Sequence, residues 1–235
     1  MNSRLSGKTV MVTGASSGIG RATAMDLLSR GAHVIGVSRR PSSIPAGVTA
    51  LKADLSQRDQ IAELFERVPH LDALVNSAGV AYLSGLINGN PADWEEMWRV
   101  NVFGLALCCR AALRRFPETG GRIINVSSMS GHRVPPTGGF YAPTKFAVRA
   151  ITDSLRYEVK AAGLPVQIGS ISPGFVDTPL LDDYFRGREQ SLERTKQEMT
   201  MLAPEDIAQS IVHMLETPPH VEIGDMQLRS SDQRI

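Results

Sequence analysis

The stretch Thr9-Val10-Met11-Val12-Thr13-Gly14-Ala15-Ser16-Ser17-Gly18-Ile19-Gly20 decides the fold. It opens with a short apolar run and passes through a loop of glycine and serine, and from residue 19 to residue 30 its apolar positions recur at helical spacing. Strand, tight turn and helix therefore follow one another without a linker. Glycine has no Cβ, so Gly14, Gly18 and Gly20 permit a tight turn, close approach of a ligand and close packing of helix on strand. The backbone around Ser16, Ser17 and Ile19 opens the helix, where unpaired N–H groups and the helix dipole favour an anionic phosphate. A glycine-rich loop alone is a weak signal. Placed at the first strand-to-helix junction of an alternating chain, it points to a dinucleotide site.

The alternation continues outward from this unit. Residues 33–37, 48–53, 73–76, 123–127 and 166–171 are compact runs without proline, and most are separated by longer amphipathic stretches, notably 92–116, 140–162 and 204–215. Strands covered on both faces and alternating with helices imply an α/β architecture with a mainly parallel sheet, wound right-handed. The link from 39 to 48 is too short for much helix and predicts a loop crossover. No repeat, low-complexity tract or linker interrupts the 235 residues, which predicts one domain. Segment 179–203 breaks the order, mixing Leu180, Leu181, Tyr184 and Phe185 with dense charge, and reads as a mobile lid over a substrate.

Composition narrows the partners. A hydrophobic content of 42% supports a substantial core, and a net charge of +1 with scattered Lys and Arg gives no reason to expect nucleic acid. The first strand begins within about ten residues of Met1 and no run of eighteen apolar residues follows, so the expectation is a cytoplasmic protein without a membrane partner, acting on small molecules. Cys108 and Cys109 are adjacent in an apolar helical stretch without His partners. They predict buried thiols, neither a disulfide nor a metal site.

Two further clusters carry chemistry. About twenty residues past the glycine loop, where a carboxylate commonly binds the adenosine ribose, the chain has Ser38-Arg39-Arg40. One or both arginines can form charge-assisted bonds to a 2′-phosphate, which predicts NADP over NAD. Asp54, with Leu55 beside it, ends the next strand and is placed for the adenine amino group; a cap for the helix starting near Ser56 is the alternative. Downstream, Tyr141 and Lys145 lie four residues apart, on one face of a helix, with Ser128 thirteen residues upstream. A nearby ammonium favours the phenolate, so Lys145 is expected to lower the pKa of Tyr141.

With the glycine loop, Asn76-Ser77-Ala78-Gly79, Asn101, Ser128, Tyr141 and Lys145 in order, the chain resembles the short-chain dehydrogenase/reductase family over essentially its whole length. Residues 13–20 satisfy the family's TGxxxGxG pattern. The resemblance implies a Rossmann-type, doubly wound sheet of seven mainly parallel strands with helices on both faces. It implies a catalytic tetrad of Asn101, Ser128, Tyr141 and Lys145, with Tyr141 as general acid or base, Ser128 holding the reacting oxygen, Lys145 also on the nicotinamide ribose and Asn101 anchoring a water relay. Asn76, Ala78 and Gly79 would flank the cofactor, and Pro173, Gly174, Val176 and Thr178 would lie at its nicotinamide end. Ser77 stands where the family usually has a second Asn, and Pro143 where it usually has Ser.

Ser127 could be mistaken for the catalytic hydroxyl, but the family's spacing selects Ser128. A hydrolase triad is a poor fit, because no Gly-x-Ser-x-Gly elbow is present. A narrower likeness, carried by residues 128–134 and 218–225, is to the NADP-preferring branch containing farnesol dehydrogenases, member-11 dehydrogenase/reductases and bacterial hydroxy-acid dehydrogenases. What this implies is an NADP(H)-dependent oxidoreductase acting on a small carbonyl or alcohol, working as a homodimer or homotetramer. A redox sensor that binds NADP without turnover is the competing class, and a nucleotide-independent dehalogenase a third, disfavoured by the intact glycines. His132 and Arg133 border the substrate or lie at the surface.

Overall fold

The structure is a computed structural model that describes residues 3–136 and 138–233. Its centre is a seven-stranded sheet in the order β3-β2-β1-β4-β5-β6-β7. The strands are β1 (Thr9–Thr13), β2 (His33–Ser38), β3 (Thr49–Lys52), β4 (Ala73–Asn76), β5 (Gly121–Val126), β6 (Val166–Pro173) and β7 (Asp225–Leu228). Every pairing is parallel. The order reverses beside β1, whose neighbours are β2 and β4, and that reversal opens a crevice at the carboxyl ends of the strands.

Alternation along each strand feeds two cores, as a period of two requires. Val10, Val12, Val75 and Ile124 pack with α1 (Gly18–Ser29) and α8 (Pro204–Glu216) through Leu27, Ile207 and Ile211. Met11, Leu74, Ile123 and Ile168 point the other way, into a cluster with residues from α2 (Arg58–Glu66), α4 (Leu105–Ala112) and α5 (Tyr141–Ala161). Leu27, Ile211, Leu74 and Ile168 are fully buried, each contributing roughly 1.5–3 kcal/mol of transfer free energy. Cys108 and Cys109 lie in the second core as free thiols, pushed up in pKa by burial.

The 39–48 crossover holds only a 3₁₀ turn at Pro41–Ser43. The stretch 92–116 departs from the single helix expected: α3 (Pro91–Trp98) passes through a π-helical turn at Arg99–Gly104 before α4 begins. That wider turn carries Asn101 inward onto Val80 and seats Gly104 against the Leu55 carbonyl, where a Cβ would collide. Segment 179–203 contains α6 (Pro179–Tyr184) and α7 (Glu189–Glu198), and α7 has no buried residue. Strand β7 has no legible signal in its four residues, which alternate between exposed and half-buried. Among the described residues, no helix is long and apolar enough to cross a membrane.

Candidate active site

The glycine loop is held open by its own backbone. Gly14 and Gly18 adopt φ of +72° and +49°, and a Cβ on Gly14 would lie 2.9 Å from the Ala78 backbone. Val37 O accepts from the amides of Gly14 and Ala15, at 2.9 and 3.2 Å. Thr13 Oγ1 accepts from Ser77 N and Ala78 N, both at 3.1 Å, which fixes the end of β4 beside the loop. Ser17 caps α1 in extended conformation without bonding the first turn through its side chain.

These elements wall a cleft of about 740 Å³. Gly14, Ser16, Ser17, Gly18, Ile19 and Gly20 line it from the loop, and Ser38, Arg39, Arg40, Asp54 and Leu55 at one end. Ala78 and Gly79 line its middle; Ser128, Tyr141 and Lys145 line it with Pro173, Gly174, Val176 and Thr178. At the first end, Ser38 Oγ donates to Ser16 Oγ at 2.9 Å and accepts from Arg40 N at 3.1 Å. Arg39 pairs with Glu96 at 3.6 Å, both groups exposed. Asp54 Oδ1 accepts from Ser56 N at 2.9 Å in the turn ahead of α2, whose N-cap is Gln57, so Asp54 lines the cleft and bonds the turn without capping the helix.

Two of the expected residues do not line the cleft. Asn76 is buried behind the sheet, where its Nδ2 donates to Asn125 Oδ1 at 2.9 Å and to Cys109 Sγ at 3.3 Å. Its Nδ2 is committed there, its Oδ1 is buried without a hydrogen-bond partner among the described residues, and the residue does not line the cleft from which a cofactor was expected to contact it. Asn101 is also enclosed: its Oδ1 accepts from Val80 N at 2.9 Å, and its Nδ2 donates to Val80 O at 2.8 Å and to Thr144 Oγ1 at 3.3 Å. It meets the cleft wall at Val80 and beside Gly79, both of which line it.

Arg133 lines the cleft, whereas His132 packs away from it with Nε2 2.9 Å from Ser172 Oγ and 3.5 Å from Asp225. Burial lowers the His132 pKa, the Arg149 cation adds to this, and Asp225 opposes it. Sequence reasoning missed Arg229, Asp232 and Gln233, which wall the cleft from beyond β7. No periodicity or motif marks them, because the contact is made by a tail returning across the sheet.

A family model described as short chain dehydrogenase matches residues 8–189. The chain belongs to that family. It is 36% identical to dehydrogenase/reductase SDR family member 11 of Bos taurus, over 96% of this chain and 97% of that one. It is 33% identical to farnesol dehydrogenase of Aedes aegypti, again over 96% and 97%. A solved structure of serine dehydrogenase in its closed form, complexed with NADP+, superposes with a TM-score of 0.86 at 29% identity, covering 94% of both chains. This short-chain dehydrogenase is accordingly an oxidoreductase.

Within the dehydrogenase cleft, burial governs the titratable groups. The half-buried Tyr141 is pushed above the usual tyrosine range by desolvation; the nearby Ser128 hydroxyl opposes this, and Tyr184 adds to it. The net shift is therefore upward rather than the depression expected: burial dominates, and Lys145 Nζ, 5.7 Å from the Tyr141 ring centroid, donates to Val126 O at 3.0 Å. Burial lowers Lys145 itself to about 8. Ser128 Oγ accepts from Ser130 N at 3.1 Å and donates to Pro173 O at 3.5 Å, a long bond readily exchanged for another acceptor. The cradle suits a dinucleotide: the amino end of α1 faces it, and a Cβ on Gly14 or Gly20 would collide with the Ala78 backbone or the Gly14 carbonyl and so force the loop out of this shape.

Proposed function

We propose that this dehydrogenase interconverts a small carbonyl compound and its secondary alcohol with NADP(H), using Tyr141 as general acid and base. The observation that carries this reading is that Tyr141, Ser128 and Lys145 line the wall of the same cleft that begins at the glycine cradle. NADPH, when bound, supplies the hydride. The loop amides and the first turn of α1 would hold its pyrophosphate, Ala78 and Gly79 its middle, and Val176 and Thr178 its nicotinamide end. Its 2′-phosphate would meet Arg39 and Arg40, since Ser38 brings no carboxylate to repel it. Arg39 must exchange Glu96 for the phosphate, a small cost for an exposed pair.

Ser128 Oγ would turn its donor from Pro173 O to the carbonyl oxygen and hold it as charge grows there. Tyr141 Oη then gives its proton to that oxygen, and takes it back when an alcohol is oxidised. A neutral phenol pushed up by burial is the right form to donate. Lys145 sits close enough to stabilise the phenolate left behind, and Asn101 keeps Val80 in place on the cleft wall. The apolar side chains Leu180, Leu181, Tyr184 and Phe175 would cover the substrate, with segment 179–203 as a lid of a single-domain cytoplasmic enzyme.

The test is NADPH consumption against ketones, aldehydes and dicarbonyls, compared with NADH. Arg39→Asp should lower kcat/KM for NADPH by between about tenfold and a hundredfold, as loss of a charge-assisted bond would. A clear preference for NADH, or binding of NADPH without any turnover, contradicts the reading.

A further inference from the structure

Three chain segments meet at the end of the cleft beyond β6. Gly174 N donates to Leu228 O at 2.7 Å, and Phe175 N donates to Oε1 of Gln233 at 3.2 Å. Gly174 makes room for that amide, since a Cβ there would collide with Gln233 Oε1. On the neighbouring residue, Asp232 Oδ2 accepts from Thr200 N at 3.3 Å. The tail is itself folded to present this pair: Gln233 N donates to Ser230 O at 3.1 Å, and Asp232 N to Ser230 Oγ at 3.3 Å.

Phe175 precedes the start of segment 179–203 and Thr200 lies near its end. Leu202 N donates to Phe175 O at 3.0 Å and Asp177 N to Leu202 O at 2.9 Å, so the two ends are also laced to each other. Between them, α7 has no buried residue and is tied back by the Lys196–Asp177 pair at 3.2 Å. Leu181, Tyr184 and Phe185 bury the first part of the segment, but α7 with no buried residue opens at low free energy unless the ends around it are held.

We infer that Asp232 and Gln233 are positioning residues of the lid, a two-residue clasp that fixes both ends of segment 179–203 and thereby holds Val176 and Thr178 on the cleft wall. This rests on reading that segment as a lid. Gln233 acts through the Phe175 amide and Asp232 through the Thr200 amide. Neither needs to touch the reacting atoms.

Limited digestion of the full chain by trypsin, without cofactor, tests the clasp. Cleavage after the exposed Arg188 and Arg194 should accelerate about fivefold in Gln233→Leu and in Asp232→Ala, the effect of one lost hydrogen bond on an opening equilibrium. Gln233→Glu keeps an oxygen acceptor for Phe175 N and should be cleaved near the wild-type rate. Cleavage after Arg110, on α4, should be unchanged throughout. In the active enzyme, Gln233→Leu should raise KM for NADPH and carbonyl more than it lowers kcat. Unchanged lid cleavage, acceleration shared by Arg110, or a Gln233→Glu variant cut as fast as Gln233→Leu overturns the inference. Digestion requires no turnover, so failure of the clasp and failure of carbonyl reduction are separate results.

Discussion

Burial moves the Tyr141 phenol up and the Lys145 amine down, so both are driven towards neutrality in the same corner of the cleft. Below about pH 8 the folded chain carries a buried ammonium that the unfolded chain leaves in water with a pKa of 10.5. This cost is fully present below the folded value and fades as pH rises towards the unfolded one, because there the unfolded state binds more protons. Lys145→Met should therefore be more stable than wild type near neutral pH, by about 1–3 kcal/mol after the lost bond to Val126 O is offset. The advantage should shrink as pH is raised from about 8 to 10.5, while turnover is lost throughout. Denaturant unfolding across that range checks it; a variant less stable than wild type at neutral pH contradicts it. The four-residue spacing of Tyr141 and Lys145 was legible in the sequence, but the partner of the amine was not. Val126 O comes from a strand end fifteen residues before Tyr141, and no local pattern records that approach.

At the scale of elements, the π turn at Arg99–Gly104 places one side chain where a loop needs it. Asn101 satisfies both backbone groups of Val80, in a loop that has no strand to pair with. Asn101→Ala should leave a buried N–H and C=O unpaired and cost about 2–4 kcal/mol of stability, measured by chemical denaturation. A loss below about 1 kcal/mol would mean that water replaces the amide. The strands with continuous apolar runs were readable because burial on both faces leaves little choice of residue, as β4 and β5 illustrate. The π turn was not, since Ala92 to Phe116 keeps helical spacing through it. Strand β7 was not readable either: it sits at the sheet edge, pairs only with β6, and its four residues carry no apolar run. For Asn76, the course of the side chain was hidden for a related reason. Its motif gives its place at the end of β4, but only the register decides that its side chain points to Asn125.

For the molecule as a whole, the outer face of α3 to α5 leaves Trp98, Phe103 and Tyr157 exposed at 45%, 51% and 75%. Such aromatic surface on neighbouring helices fits pairing of two copies, the arrangement the family resemblance implies. The wild-type chain should run as a dimer or tetramer by light scattering, and Phe103→Asp with Tyr157→Asp should shift it towards monomer; a monomeric wild type contradicts this. Above all, the account joins two distant ends of one cleft, a glycine cradle set by β1 and a proton donor set by α5, in one reaction. The most direct test is to follow NADPH absorbance during reduction of the best carbonyl substrate by wild type and by Tyr141→Phe, with NADPH affinity measured alongside. The account predicts turnover reduced by about a thousandfold or more, as loss of the general acid would cause, with NADPH affinity kept within a few fold. Turnover retained by Tyr141→Phe would contradict it.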